Sequence, residues 1–346
     1  MDGFTYQAPA QRVVFGSGTL GQVGEEVDRL GCRRVVVIST PGQTDRAAAL
    51  RKTLGTRAAG VMARAVMHTP VAVTEAALAD LAALDADGLV AIGGGSAIGL
   101  SKALALRTGL PQIMVPTTYA GSEATPVVGQ TENGRKVTTR DASVLARTIV
   151  YDVDLTLSLP IETTIASGLN AMAHAIEALY APDRNPVTSQ LAVQGIAALA
   201  GALPVLLTSP GDRTARSDAL FGAWACGTCL GTVSTGLHHK ICHVLGGGFD
   251  LPHAETHAVI LPHATAFNEM AASELLAPAA KALGAGSAAE GLFALARRLG
   301  APRRLQALGL TPDAIPIAAA RIADAGIVTP RPASAGDMQN LLLAAF

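Results

Sequence analysis

Apolar and polar positions along the chain follow two rhythms. In the first half, short β-branched runs recur at 35–38, 89–92, 113–115 and 148–151, with segments of helical spacing such as 20–30 and 73–84 between them. Strands that alternate with helices predict a parallel, doubly wound sheet covered by helices. From Pro160 onward, long Ala- and Leu-rich segments of helical period replace the strand-like runs. Tyr151-Asp152-Val153-Asp154 followed by Leu159-Pro160 marks the change, and a proline suits the first turn of a helix. The expected architecture is an α/β Rossmann-like domain over 1–159 and an all-α domain over 160–346, with ligands expected in a cleft between them. The most apolar stretch, 196–207, contains Pro204 and is shorter than the ~20 residues of a spanning helix. It reads as a buried helix.

Composition narrows the function classes. A length of 346 residues allows about two domains. With 15% charged residues and a formal net charge of -1, the chain lacks the basic footprint of a nucleic-acid binder and the acidic tract of a disordered tail. Residues 1–16 show no basic flank followed by an apolar run, so no signal peptide is read there. Four cysteines in a chain of this length make no disulfide framework, which leads us to expect a reducing compartment, the cytoplasm. Cys226 and Cys229 form a C-x-x-C without a second pair and read as small core residues.

Two glycine-rich turns compete for a phosphate-binding role. Gly16-Ser17-Gly18-Thr19-Leu20-Gly21 fits G-x-G-x-x-G, but the strand before it is short. The next strand ends in Ser39-Thr40 and not in an acidic residue for a ribose. Gly93-Gly94-Gly95-Ser96 is the stronger candidate. It follows the wholly apolar 88–92 run and opens a helix that contains Ser101 and Lys102. Glycines let the backbone approach a pyrophosphate, and a helix N-terminus offers free N–H groups. Thr117, Thr118 and Ser122 follow the next strand, where an α/β sheet places its ligand.

Six of the eight histidines fall between 238 and 263. His239 and His243 are four residues apart, as are Asn170 and His174, so each pair shares a helix face. With His253 they suggest an N/O site of the kind that binds metals. His68, His257 and His263 read as ordinary core or surface histidines.

Taken in order, these motifs resemble the iron-containing alcohol dehydrogenases. The matching segments are Phe15-Gly16-Ser17-Gly18, the turn at 93–96, Pro116-Thr117-Thr118 with Gly121-Ser122-Glu123, Tyr151-Asp152, the 170–180 helix, and the 239–253 segment with Leu261-Pro262-His263. The resemblance implies a dehydroquinate synthase-like architecture and a nicotinamide cofactor, NADH or NADPH. The expected cofactor contacts are Gly93, Gly94, Gly95, Ser96, Thr117, Thr118 and Ser122, with Thr40 and Lys136. It also implies an Asp and three His as metal ligands, at positions 170, 174, 239 and 253, with His243 beside the nicotinamide.

Two positions depart from that pattern, Asn170 and Gly99, each standing where the family has Asp. An amide removes a full charge from the ligand set, so the set reads as vestigial and activity without metal is expected. Asn170 together with His238-His239-Lys240-Ile241-Cys242-His243 looks like the maleylacetate reductase branch of the family. That branch implies reduction of a small dianion, maleylacetate to 3-oxoadipate, in the breakdown of aromatic compounds. The enzyme would be a homodimer that binds neither nucleic acid nor membrane. His243 is expected to donate to the enolate or supply the proton. Lys240, with Lys136 or Arg140, is expected to hold a carboxylate, and His174, His239 and His253 complete the catalytic set. The alternatives are a metal-dependent alcohol dehydrogenase or aldehyde reductase, a metal- or nucleotide-binding protein without turnover, and a lyase of the 3-dehydroquinate synthase type.

Overall fold

A computed structural model describes residues 3–8, 10–132, 135–326 and 328–346; the side chains of 135 and 136 lie outside the description. The chain divides into two compact units. One comprises 9–118 and 122–159, and the other 160–346 together with 1–8 and 119–121.

Among the described residues the α/β unit holds eight strands, β1 (Arg12–Gly16), β2 (Val35–Ile38), β3 (Ala58–Met62), β4 (Gly88–Gly93), β5 (Gln112–Pro116), β6 (Val127–Glu132), β7 (Arg135–Arg140) and β8 (Thr148–Asp152). Its helices are α1 (Val23–Arg29), α2 (Thr44–Leu54), α3 (Val71–Ala83) and α4 (Gly95–Thr108). Six strands form one parallel sheet in the order β1-β8-β5-β4-β2-β3, while β6 and β7 make a separate antiparallel pair. Alternate residues leave a strand on opposite faces. Thus Val35, Val37, Val90, Ile92, Ile113, Val115 and Val150 pack with Val23 and Val27 of α1 and Leu50 and Leu54 of α2. From β2 the chain steps outward to β3, then returns to β4 and continues the other way. The carboxyl ends of β2 and β4 therefore flank the switch point, where doubly wound sheets bind ligands.

The helical unit is built from α5 (Ile161–Tyr180), α6 (Pro186–Thr208), α7 (Arg213–Thr232), α8 (Leu237–Phe249), α9 (His253–Ala282), α10 (Ala288–Arg298), α11 (Ala314–Ala323) and α12 (Ala335–Ala344). Helices α5, α6 and α7 pack on one another, and α6 meets α7 through Gly195 and Gly222. A Cβ at Gly222 would lie 2.8 Å from the Leu199 side chain, and one at Gly195 2.7 Å from Cys226 Sγ. A second core joins Leu237, Ile241 and Leu245 of α8 to Ile260, Ile315, Ile322, Met338 and Leu342.

The expectation for 196–207 needs correction. The stretch belongs to a 23-residue helix, α6, long and apolar enough by length and composition to cross a membrane. It is buried on one side only, and Val205 and Leu207 are exposed. Pro204 sits inside this helix. Cys226 and Cys229 are buried in α7. Burial pushes the Cys229 thiol up to about 12 and Cys226 well above the usual thiol value, so neither is a nucleophile.

Candidate active site

The turn at 16–21 is already occupied by the protein itself. The Asp152 carboxylate accepts hydrogen bonds from the backbone N–H of Gly18 (3.0 Å) and of Leu20 (2.8 Å), and Gly18 takes a left-handed φ of 74°. The donors that a phosphate would need are spent, so this is a tight turn.

The turn after β4 differs. Gly93 has φ 147°, and Gly94 packs so closely that a Cβ there would lie 2.9 Å from Thr118 Cγ2. Open space surrounds the Cβ position of Gly95, and among the described residues no side chain caps the N-terminus of α4. Thr117 donates its backbone N–H to Gly93 O (3.0 Å), so the two loops are joined. At the neighbouring strand end, Ser39 is buried and Thr40 half-buried. Ser96, Thr118 and Ser122 are also half-buried. The Lys136 side chain lies outside the described residues, and Arg140 is exposed on β7.

Two polar residues of α4 face inward and serve the fold. Ser101 donates to Gln112 Oε1, and Lys102 Nζ donates to Ser122 O, Thr125 O, Thr125 Oγ1 and Val127 O. Glu123 is likewise internal, accepting from Tyr151 OH at 2.7 Å.

In the helical unit, the histidines converge around one carboxylate. Asn170, His174 and Glu177 form a single stripe on α5, and all three are buried. Glu177 receives the N-terminus of α8, accepting from the backbone N–H of Gly236 (2.9 Å), His238 (2.6 Å) and His239 (3.4 Å). Gly236 is required there, because a Cβ would sit 2.9 Å from Glu177 Oε1. The other carboxylate oxygen lies 2.6 Å from His239 Nδ1. Burial alone would raise the Glu177 carboxyl; the charge and hydrogen bond of His239, with these N–H groups, outweigh it and bring it down to about 2.

With Nδ1 tied to Glu177, His239 presents Nε2, which has no partner among the described residues; nor has Asn170 Oδ1. The His174 ring stacks on His239 at 4.9 Å, and His243 lies edge-on to it at 6.2 Å. His243, Lys240 and His253 are half-buried.

The structure also gathers residues that sequence reasoning left out. His257 packs against His253 at 4.4 Å and His239 at 5.2 Å, and its Nδ1 is 2.8 Å from His238 Nε2. Their positions carry partial signals. Glu177 continues the Asn170–His174 stripe by one turn, and His257 follows His253 by four residues. By contrast, nothing in the sequence pairs His238 with His257, which lie on different helices.

A family model described as "Iron-containing alcohol dehydrogenase" matches residues 10–153, and its C-terminal counterpart, "Fe-containing alcohol dehydrogenase family, C-terminal", matches 164–346. This chain belongs to the iron-containing alcohol dehydrogenase family. Family membership makes it an oxidoreductase, and use of a nicotinamide cofactor agrees with that membership.

Among its relatives is the maleylacetate reductase of Burkholderia cepacia, 51% identical, with 100% of this chain and 98% of the relative aligned. The maleylacetate reductase of Rhizobium sp. (strain MTP-10005) is 52% identical, over 100% and 98%. The crystal structure of maleylacetate reductase from Agrobacterium tumefaciens superposes with a TM-score of 0.96 at 52% identity, covering 100% of this chain and 99% of that one.

Members of this family typically bind a metal, and the donors here can be tested against one. The bare Nε2 of His239, oriented through a carboxylate on Nδ1, is the arrangement a metal-binding imidazole has. Asn170 Oδ1 adds a buried oxygen without a partner. In donor type the set suits a borderline-soft divalent ion. The only oxygen ligand is a neutral amide, however, and Glu177 is already committed to His239 and to α8.

Proposed function

We propose that the chain reduces the carbon–carbon double bond of maleylacetate with NADH or NADPH, giving 3-oxoadipate. The observation that carries this reading is Asn170, a buried neutral amide on the same stripe of α5 as His174, beside the imidazoles that α8 and α9 bring together. A carboxylate at that position would repel a developing anion, and the amide does not. Full-length likeness to maleylacetate reductases at about half identity supports it.

Hydride adds to the alkene carbon β to the ketone, and the electron pair moves onto the ketone oxygen as an enolate. A proton then joins the carbon next to the ketone. Donors fixed before the reaction lower this barrier most, because no solvent has to reorganise. His243 is assigned as the proton source or enolate donor, having an imidazole at the cluster's half-buried side. Lys240, three residues before His243 on α8, is assigned to a substrate carboxylate. In the α/β unit, Gly93, Gly94, Gly95 and Ser96 are assigned to the pyrophosphate, with Thr40, Thr117, Thr118, Ser122 and Lys136 around the rest of the cofactor.

Where an ion is present, Asn170, His174, His239 and His253 would hold it, and it would supply Lewis acidity toward the substrate oxygen. The reaction as drawn uses only the chain's own donors, and turnover is assigned to them. The test is NADH and NADPH consumption by the purified protein with maleylacetate beside simple aldehydes. An aldehyde turned over faster than maleylacetate contradicts the assignment.

A further inference from the structure

We infer that Gln43 is a specificity-determining residue of the cofactor site, its carboxamide meeting the 2′ position of the ribose in NADH and NADPH alike. The inference rests on the nicotinamide reading above. Three strand ends place the side chain. Gln43 closes the turn that follows β2, its backbone N–H donating to Thr40 O at 3.0 Å. Its Nε2 lies 3.5 Å from the hydroxyl of Thr117, the residue after β5. Its Oε1 lies 3.9 Å from where a Cβ would stand on Gly93, the last residue of β4. The carboxyl ends of β2 and β4 flank the switch point, where a doubly wound sheet binds its ligand.

The fold itself makes little use of this carboxamide. Gln43 stands at the N-cap of α2, a place for the short side chains of Ser, Thr, Asp or Asn, and it makes no capping bond among the described residues. Its Oε1 is buried with no partner among the described residues. Its Nε2 reaches Thr117 only at the long limit of a hydrogen bond. A buried amide oxygen left unpaired is destabilising unless something comes to fill it. The residue as a whole is half-buried, so a ligand at the strand ends draws the carboxamide out against weak resistance.

An amide serves both cofactors. Its oxygen accepts from a ribose 2′-hydroxyl, and its NH2, after a half-turn about the last side-chain bond, donates to a 2′-phosphate. A carboxylate in the same place does the first and repels the second. Ser39 and Thr40, which precede it in the turn, bring no charge to alter that balance.

The test titrates the purified protein with NADH and with NADPH, without substrate, following cofactor fluorescence for wild type, Gln43→Glu, Gln43→Leu and Gln43→Ala. Gln43→Glu should raise the Kd for NADPH relative to that for NADH by about tenfold or more, because a carboxylate meets the 2′-phosphate as a like charge. Its Kd for NADH should stay within about threefold of wild type, since the 2′-hydroxyl keeps an acceptor. Gln43→Leu and Gln43→Ala should weaken both dinucleotides by about two- to tenfold, the scale of one hydrogen bond. If Gln43→Glu weakens NADH and NADPH in parallel, the side chain faces the pyrophosphate and the assignment is overturned. Unchanged constants in the leucine and alanine variants overturn it as well. A wild type that binds neither dinucleotide defeats the cofactor reading itself, and the inference with it. Binding without reduction of maleylacetate defeats the choice of substrate alone, and the Kd ratio still judges Gln43.

Discussion

Glu177 does two things with one side chain: it caps α8 and it fixes the tautomer of His239. Replacing it with Gln removes the charge from both. We expect Glu177→Gln to lower kcat roughly ten- to hundredfold, the usual effect of removing the partner that orients a site histidine. The same carboxylate makes the fold acid-sensitive. Its folded pKa of about 2 is below the ordinary 4.5, so its stabilisation is complete above pH 4.5 and is lost as pH falls toward 2. Urea titrations between pH 5 and 3 should show a steeper loss of stability for wild type than for Glu177→Gln. Asn170 is tested separately. Wild-type activity should survive prolonged chelation. Asn170→Asp should bind Fe²⁺ or Zn²⁺ more tightly, since it restores an anionic oxygen. Without metal it should turn over more slowly, because a new carboxylate repels both dianion and enolate. Assays of both proteins with chelator and with added ion decide this; wild-type activity that vanishes with chelator and returns with metal rejects a metal-independent reaction.

At the scale of elements, the β4–α4 turn carries the cofactor assignment. Gly94→Ala would drive a methyl group into Thr118. The displaced turn should raise KM for NADH about tenfold or more while kcat changes little, since small misplacements cost up to a hundredfold. An unchanged KM would take the phosphate away from this turn. At the end of β2, Ser39-Thr40 offers no carboxylate to repel a 2′-phosphate. Both NADH and NADPH should therefore serve, with a preference under about a hundredfold, or ~2.7 kcal/mol. The ratio of kcat/KM for the two cofactors measures it. How much of this was legible from sequence followed physical contrast. The four central strands are written in short β-branched and apolar runs, and the change to helices at Pro160 in Ala- and Leu-rich segments of helical period. Strand β3 was not, because Ala58-Ala59-Gly60-Val61-Met62 has one β-branched residue and takes its place at the sheet edge by pairing with β2. The β6–β7 pair was also missed, since it is mostly polar and lies outside the six-stranded sheet. In the site, the pairs four residues apart on α5 and α8 could be read from helical period. The contact of His238 with His257 could not, because it exists only once α8 packs on α9.

For the molecule as a whole, the central claim is a choice of substrate. The family frame allows alcohol–carbonyl interconversion as well as reduction of an activated alkene. The two reactions make opposite demands on position 170. A divalent ion that polarises a carbonyl is best held by a carboxylate, whereas an enolate formed from a dianion is best met by neutral donors and fixed N–H groups. With Asn170 in that place and only Glu177, already paired, supplying a carboxylate on the same stripe of α5, the balance falls toward the enolate. The most direct measurement is the initial rate of NADH oxidation, with equal concentrations of maleylacetate, ethanal and lactaldehyde, in chelator-treated buffer. The account predicts rapid oxidation with maleylacetate, 3-oxoadipate formed in equal amount, and little or none with the aldehydes. Faster oxidation with either aldehyde, or no turnover of maleylacetate, would contradict it.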